Sequence, residues 1–394
     1  MTDHGAGRAL LISPVLPNPR GVGLARRAWR WVAELSAGHS LDIIVVSNQP
    51  QDPPTWPLPG RVVQASRTGA PLKSRNLHEW FDPDRSIAEA IEKLAAGPPP
   101  DRILVFRFYL HDVAALLPAS WRRRAEIDID DWESATRLSL AGLALRHGRW
   151  RDARDRCAEA WRYARLEREA LRTYSTVHVS ASEDIAPIRF LTNARGLKAT
   201  PNQIAPEPGL APSPPRPDAK TLLFVGALHY SPNDDAVRWI GKSIAPKLRR
   251  LSPNVRILVA GHASSRLQSR MARDRLEYLH APDDLSYAYA DASVVIAPLR
   301  GGGGTKFKVL EAWLHGRPVV ATCHAARGLD AEPERHLLVA DGADAFARAC
   351  ARLLADPELA ARLARESAEL LRSRFLLAAP QIAIPKLGHD NGRG

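Results

Sequence analysis

Residues 298–311 read PLRGGGGTKFKVLE and directly follow the apolar run SVVIA at residues 293–297. The apolar run predicts a buried strand, and a helix is expected to begin near Thr305. Four successive glycines let the backbone approach a ligand closely, while the free amides of the first helical turn point back into the loop. A strand, glycine loop and helix in this order predict an anion-binding site.

The charged residues of this stretch suit a diphosphate. Lys306 and Lys308 place positive charge close to the helix N-terminus, where it would stabilise a diphosphate as it leaves. Glu311 lies beside apolar Val309, Leu310 and Ala312, and its carboxylate would accept hydrogen bonds from both hydroxyls of a ribose. The alternative is a flexible loop with solvated lysines and a surface glutamate, because a lone glycine-rich turn is weak evidence.

Short apolar runs alternate with helical segments on both sides of this loop, which is the pattern of parallel sheets wrapped by helices. Strands are predicted at residues 9–13, 41–47, 61–65, 102–106, 126–129, 176–180, 221–225, 256–260, 276–279, 293–297, 318–321 and 337–339. Helices are predicted at residues 24–35, 87–94, 234–251, 264–272, 285–289, 306–314, 343–354 and 355–374. The fold class is therefore α/β, with two Rossmann-like doubly wound domains facing each other across a cleft.

A proline-rich stretch, PNQIAPEPGLAPSPPRPDAK at residues 201–220, separates the two halves. Prolines at this density exclude a helix interior or a central strand, so we interpret the stretch as a linker and surface loop. The predicted units are an acceptor domain at 1–200, the linker at 201–220, a donor domain at 221–375 and a tail at 376–394.

The length, the cysteines and the apolar runs of the chain limit the class of protein that it can be. The chain of 394 residues is long enough for two cores, and its three cysteines show neither paired spacing nor an even number, which argues against disulfides and zinc. No signal peptide and no apolar run of about 18 residues is visible, so a cytoplasmic location is expected.

The net charge of +12 is partly concentrated in residues 134–172, which hold ten arginines and five acidic residues together with Trp150, Trp161 and Tyr163. A solvated helix face explains this segment. A surface that meets anionic lipid or an acidic acceptor also explains it. Nucleic acid is disfavoured, because no recognised binding module is present.

The second half resembles the donor domain of retaining glycosyltransferase family 4. The matching segments stand in family order and include LLFVGALHYSPNDDAVRWI at 222–240, VRILVAG at 255–261 and GGGGTKFKVLEAWLHGRPVVATC at 301–323. The resemblance covers about 130 residues. It implies a GT-B architecture and assigns the donor diphosphate and ribose to Gly302, Gly303, Gly304, Thr305, Lys306, Lys308 and Glu311. Many family members carry a first glutamate where this chain has Gly303, so this chain has no carboxylate at that position to contact the donor sugar.

The first half resembles the family's acceptor domain more weakly. Gly21 and Gly23 stand where a glycine turn would approach the donor diphosphate. The segment AEIDIDDWES at 125–134 places Asp128, Asp130 and Asp131 near the cleft, where they are candidates to orient an acceptor or sugar hydroxyl. A helix cap is the alternative role for Asp130 or Asp131. The pattern does not require a metal, because GT-B enzymes generally hold the diphosphate with positive protein groups.

Four further residues complete the predicted donor site. His229 and His262 follow two strands of the second half at their cleft ends. Asp284 and Leu285 fall where family members place the nucleotide base, although a capped helix explains them nearly as well.

The resemblance implies a hexosyl-type transferase that needs no cofactor and moves sugar from a nucleotide diphosphate donor to a glycan, lipid-linked, protein or small-molecule acceptor. Alternatives are an inactive nucleotide-sugar-binding scaffold or partner subunit, and an epimerase or phosphorylase on the same architecture. Peripheral contact with an anionic membrane is a further expectation.

Overall fold

The computed structural model describes residues 7–47, 51–52, 56–66, 85–95, 97–206, 220–280, 285–303 and 307–377. Its first sheet contains seven parallel strands within these residues, in the order β3-β2-β1-β4-β5-β6-β7. The strands are β1 (Gly7–Ser13), β2 (His39–Ser47), β3 (Arg61–Ser66), β4 (Arg102–Phe106), β5 (Glu126–Asp130), β6 (Thr176–Val179) and β7 (Leu197–Ala199). The accompanying helices are α1 (Gly23–Ser36), α2 (Arg85–Ala95), α3 (His111–Ala115), α4 (Ala119–Arg122), α5 (Glu133–Arg146), α6 (Trp150–Ala170) and α7 (Ile185–Thr192).

The second sheet repeats this arrangement with six described parallel strands, in the order β10-β9-β8-β11-β12-β13. The strands are β8 (Thr221–Val225), β9 (Arg256–Ala260), β10 (Glu277–Leu279), β11 (Val294–Ala297), β12 (Val319–Ala321) and β13 (Leu338–Val339). The helices are α8 (Ser231–Trp239), α9 (Ala245–Leu251), α10 (Ser265–Arg273), α11 (Ser286–Asp291), α12 (Phe307–Leu314), α13 (Cys323–Ala326), α14 (Ala343–Ala355) and α15 (Pro357–Leu370).

The predicted fold class is confirmed, and each predicted strand is present with ends that differ by a few residues. The short strand β7 was not predicted. The predicted helix at 234–251 is divided into α8 and α9 by a π-helical turn at Ile240–Ile244. The ends of these strands and helices do not test the proposed domain limits, which stay a prediction. Most of the linker lies outside the described residues.

Burial explains the parallel topology. Strand β11 is completely buried, as are the central residues of β1 and β8, so both faces of each sheet are covered by helices. After α15 the chain returns towards the first domain. Leu376 forms a parallel bridge with Ile204 beside the second core, and Leu377 joins the first-domain cluster that contains Trp29 and Trp31. This return connects the two domains a second time.

The strand order places the site. In each sheet the order reverses next to the first strand of its domain, between β1 and β4 and between β8 and β11. Ligands of doubly wound sheets bind outside the carboxyl ends of the strands at this reversal. The loops that follow β1, β4, β8 and β11 are therefore the structural candidates for a binding site.

Candidate active site between the two domains

The glycine loop after β11 is packed against the first domain. A Cβ atom added at Gly301 would lie 2.8 Å from Leu143, and one added at Gly303 would lie 2.5 Å from Thr136 Oγ1 and 2.7 Å from the Asp131 carboxyl carbon. Gly302 has a φ of 104° and its amide donates a hydrogen bond to Ser139 Oγ at 3.1 Å. The glycines are thus required for close approach of the domains. Gly304, Thr305 and Lys306 lie outside the described residues.

Lys308 stands in the first turn of α12. Its ammonium group donates a hydrogen bond to Asn233 Oδ1 at 2.7 Å and lies 4.2 Å from the centre of the Phe224 ring. Asn233 is itself held by a hydrogen bond from Nδ2 to the carbonyl oxygen of Ala227. The cation is therefore positioned between the carboxyl ends of β8 and β11, beside the glycine loop.

Glu311 faces the first domain. One carboxylate oxygen pairs with Arg26 Nη1 at 2.5 Å, and the other accepts a hydrogen bond from the Tyr289 hydroxyl at 3.0 Å. The Arg26 guanidinium lies 5.8 Å from the centre of the Phe307 ring, and Gly23 approaches the same ring so closely that an added Cβ atom would lie 3.0 Å from it. Gly21 instead faces Asn18 and Ala25 of its own domain.

Asp128 occupies a different environment. It is completely buried, and both of its oxygens accept hydrogen bonds from Arg27 at 2.7 Å, while the Trp31 indole and the Asp130 amide donate to the same carboxylate. Burial alone would raise its pKa, but the charge and hydrogen bonds of Arg27 outweigh burial and lower it. This geometry favours a structural role, and the predicted catalytic role of Asp128 stays untested.

Asp131 lies at the cleft, beside Gly303. Its carboxylate is 3.5 Å from Arg107 Nη1, and the same guanidinium pairs with Asp130 at 2.9 Å and Glu133 at 2.7 Å. Arg107 directly follows β4 with a φ of 79°, a left-handed backbone conformation that costs about 1–3 kcal/mol and is frequent at functional sites. We did not predict Arg107 from the sequence, although its position at a strand's carboxyl end was a usable signal.

Tyr230 faces this group from the second domain. Tyr230 is 42% exposed as a whole, and partial desolvation of its hydroxyl, followed by the charge of Asp131, raises the pKa of that hydroxyl to about 12. The hydroxyl would lie 3.3 Å from a Cβ atom added at Gly302. Because it stays protonated at neutral pH, it is available as a hydrogen-bond donor beside the glycine loop.

The remaining predicted donor residues are spread along the edge of the second sheet. His229 is exposed after β8, and the exposed His262 ring packs edge-on against His280 with 5.0 Å between ring centres. Leu285 is half-buried against the second core, and Asp284 lies outside the described residues. The donor-binding roles of these residues stay predictions.

No group of three or more His, Cys, Asp or Glu residues among the described residues is arranged to hold a metal ion. No described helix is long and apolar enough to cross a membrane. The charged groups at the cleft include Arg26, Arg107, Lys308, Asp131 and Glu311.

Two doubly wound domains that meet at their strand ends define the GT-B class of fold. Residues 219–356, which include most of the second domain, match the family described as glycosyl transferases group 1. The sequence is 24% identical over 136 residues to an uncharacterized 44.6 kDa protein in the cps region of Klebsiella pneumoniae. That match spans 32% of this chain and about a third, 35%, of the relative.

Solved structures agree along nearly the whole chain. Sucrose-phosphate synthase from Thermosynechococcus elongatus has a TM-score of 0.69 at 17% identity, with 94% of this chain and 95% of that chain covered. An Anabaena protein, HepE, in complex with UDP and glucose has a TM-score of 0.61 at 14% identity, with 94% and 95% covered. An Escherichia coli structure titled as trehalose-6-phosphate with UDP-2-fluoro glucose has a TM-score of 0.64 at 15% identity, with 93% and 96% covered. These similarities establish the shared fold.

Proposed function

We propose that this chain is a retaining, metal-independent glycosyltransferase of family 4 that transfers a hexosyl-type sugar from a nucleotide diphosphate sugar to an acceptor hydroxyl. The observation that carries the proposal is the convergence of the glycine loop, Lys308 and Glu311 at the reversal points of two facing sheets. The group 1 domain match and the UDP-containing structural relatives support the choice of donor.

The proposed reaction follows from where charge develops. As the bond between the anomeric carbon and the phosphate oxygen breaks, the diphosphate gains negative charge. Lys308, in the first turn of α12, and the amides of the loop would stabilise that charge in a closed cleft. The acceptor oxygen forms its bond to the anomeric carbon on the face that the phosphate leaves, and a phosphate oxygen takes the hydroxyl proton. No separate protein base is needed.

Binding of the donor ribose requires Glu311 to exchange one of its protein partners. Both of its oxygens have protein partners, and Arg26 is the partner that belongs to the other domain. Ribose hydroxyls would replace Arg26 when the domains separate to admit the nucleotide. When the domains close again, Arg26 returns to its place beside Phe307 at the start of α12, where its charge favours the diphosphate.

We place this reaction in the cytoplasm, in glycan, polysaccharide or glycoconjugate biosynthesis. The relative in a cps region supports this setting. Nucleic acid is not a proposed partner.

The proposal is tested by thermal shifts with UDP, GDP, ADP and TDP and their sugars, followed by turnover assays with the donor that stabilises the protein. Lys308→Ala should reduce kcat by about 10²–10³-fold, because it removes one group that stabilises the leaving charge. Lys242→Ala, at an exposed position of the same domain, is the control and should retain full activity. Binding of a nucleotide without turnover of any donor would instead favour an inactive scaffold.

Helix α6 supports peripheral contact with an anionic membrane. Trp150, Arg154, Trp161, Arg165 and Arg168 recur at spacings of three, four and seven residues, which place them on one helix face. Trp150 is 71% exposed and Trp161 is 64% exposed, and the Arg154 and Arg165 side chains are largely exposed. Exposed indoles with interleaved arginines suit the interface of an anionic bilayer.

Liposome sedimentation tests this contact. The protein should bind vesicles that contain phosphatidylglycerol and should bind phosphatidylcholine vesicles weakly, with an affinity that falls as salt increases. A Trp150→Ser/Trp161→Ser double variant should lose most of the binding. Equal recovery of the double variant and the wild type with anionic vesicles would rule out this face.

A further inference from the structure

The first turn of α5 is held from inside the first domain by a carboxylate of the neighbouring helix. Trp132, the residue before α5, makes no side-chain cap, so the free amides of this turn need another acceptor. Glu167 of α6 supplies it. Its Oε1 accepts a hydrogen bond from the Ser134 amide at 3.2 Å, and its Oε2 accepts bonds from the Ser134 hydroxyl at 2.5 Å and the Trp132 indole at 3.1 Å. Three donors of one turn thus converge on one carboxylate.

The same turn faces the second domain. Asp131 lies so close to Gly303 that an added Cβ atom would be 2.7 Å from its carboxyl carbon. Trp132 lines a small cavity together with Gly302 and Gly303. The position of the glycine loop relative to the first domain therefore depends on where the first turn of α5 is held.

Two anchors hold consecutive residues of this turn. Arg107 lies 3.5 Å from the Asp131 carboxylate and pairs with Glu133 at 2.7 Å. Trp132 and Ser134, which alternate with these residues, are bonded to Glu167. Loss of the Glu167 bonds would leave the turn attached to Arg107 alone on that side, so Asp131 would lose its fixed place beside the glycine loop.

The Glu167 carboxyl group is buried, with 1% of the residue exposed. Burial raises its pKa to about 7, while the hydrogen bonds from Ser134 act in the opposite direction. The charge of Glu133 on α5 raises it further, although that carboxylate is itself paired with Arg107 and Arg137. The carboxyl group therefore changes its charge close to neutral pH.

The other elements around Glu167 bring little charge. Tyr163, one turn earlier on α6, stays neutral because burial raises its pKa to about 12. Helix α7 packs against α6, and its charged residue, Arg189, is exposed. Glu133 is thus the charged neighbour that matters for Glu167.

A proton on Glu167 would disturb the bond to Trp132. The protonated oxygen becomes a donor, and the Ser134 hydroxyl can rotate to accept from it. The indole N–H of Trp132 is only a donor, so it loses an acceptor. All three bonds are therefore satisfied together only by the ionised carboxylate.

We propose that Glu167 is a positioning residue of the transferase, whose carboxylate fixes Trp132 and the first turn of α5, and through them Asp131, against the glycine loop. The inference rests on the proposed function. Protonation of Glu167 releases Trp132, so the acid form of the enzyme is less active.

Stability and activity should respond to pH in opposite directions. The pKa of Glu167 in the folded protein, about 7, lies above its ordinary value of 4.5, so folding favours the protonated form. The free energy of unfolding therefore decreases as the pH rises from about 4.5 through 7. A residue that only stabilises the fold predicts this decrease and no gain in kcat. The positioning role predicts that kcat increases over the upper part of the same range.

The link between Glu167 and Trp132 is tested by NMR of protein labelled with ¹⁵N in its tryptophan indoles. The Trp132 signal is identified by its loss in Trp132→Phe. In the wild type its shift should follow pH with a midpoint near 7, because the bond from the indole changes when Glu167 is protonated. Glu167→Gln, which does not ionise, should abolish this titration. Glu169→Gln, at an exposed position of the same helix, is the matched control and should titrate as the wild type does.

The effect on the reaction is tested by measuring kcat and KM between pH 6 and pH 8 with the substrates that turn over. The kcat of the wild type and of Glu169→Gln should rise about tenfold, because the ionised fraction of Glu167 rises about tenfold over this range. Glu167→Gln should have a low kcat with no inflection near pH 7. Its KM for the donor should change little, because Lys308 and Glu311 belong to the other domain.

Three results would overturn the positioning role: the wild-type Trp132 signal does not titrate between pH 6 and pH 8, it titrates equally in Glu167→Gln, or Glu167→Gln has the wild-type kcat at pH 8. The second result would assign the titration to another group at the cavity, such as His324. If Glu167→Gln does not fold, the wild type decides, because its Trp132 signal and its kcat must share a midpoint near pH 7.

A failure of the transferase function is recognised separately. If no donor is turned over, that function fails and the role in the reaction fails with it, whereas the Trp132 titration still measures the bond to Glu167. Turnover with a kcat that does not depend on Glu167 would keep the function and remove the positioning role.

Discussion

Arg26 and Arg27 are neighbours in helix α1, yet they act in different parts of the molecule. Arg27 is completely buried and forms two hydrogen bonds with Asp128 inside the first domain. The Arg26 side chain is 20% exposed and pairs with Glu311 of the second domain. Successive residues of a helix point in directions about 100° apart, so one helix stabilises its own domain on one side and contributes to the cleft on the other.

The comparison predicts that Arg27→Met causes the largest loss of unfolding free energy. This variant leaves the Asp128 carboxylate buried without its cation, which costs about 3–5 kcal/mol of unfolding free energy. Urea unfolding followed by near-UV circular dichroism measures the loss. Arg27→Met/Asp128→Asn should recover part of it, because the amide keeps an acceptor for Trp31 and removes the buried charge. A stable Arg27→Met variant would contradict the structural role of this pair.

A smaller effect is expected for Glu311→Gln. The amide keeps the size of the side chain and removes a charged acceptor, so nucleotide binding should weaken by about 1–3 kcal/mol in isothermal titration. Glu369→Gln, at an exposed position of α15, should bind as the wild type does. Equal affinity in both variants would remove the ribose contact from Glu311 and leave it only as the partner of Arg26.

Arg26→Met is expected to cause the smallest change, a small decrease in the free energy of unfolding. The pair with Glu311 is partly exposed and joins two domains, and such pairs contribute about 0–1 kcal/mol. Side-by-side urea titrations of Arg26→Met and Arg27→Met compare the same substitution at adjacent positions. Losses of similar size would show that the two arginines do not have separate roles.

Local patterns were sufficient for most of the fold. The apolar run before the glycine loop forms the buried strand β11, and the helices predicted on either side of it are present as α11 and α12. The internal division of 234–251 was not predictable, because a π-helical turn changes the backbone without changing the apolar pattern. Similarly, β7 has only three residues and depends on its pairing with β6.

Only the part of the site that the second domain contributes was predictable from the sequence. Lys308 and Glu311 lie in the motif that suggested them. Arg26 and Tyr289 carry no local signal that separates them from other arginines and tyrosines, and the signal for Arg107 was its position at the carboxyl end of a strand. Asp128 and Asp131 are three residues apart and looked equivalent in the sequence. In the structure Asp128 is buried under Arg27, and Asp131 lies beside Gly303.

The sequence by itself determined two strand-and-helix domains and a glycine loop after a buried strand, because hydrophobic period and glycine content act over a few residues. Only the tertiary structure decided which groups of the first domain meet that loop. Ser139 and Gly302, which form one of these contacts, are 163 positions apart in the sequence, and Arg26 and Glu311 are 285 positions apart. Contacts over such separations depend on how whole sheets and helices pack, which no local pattern encodes.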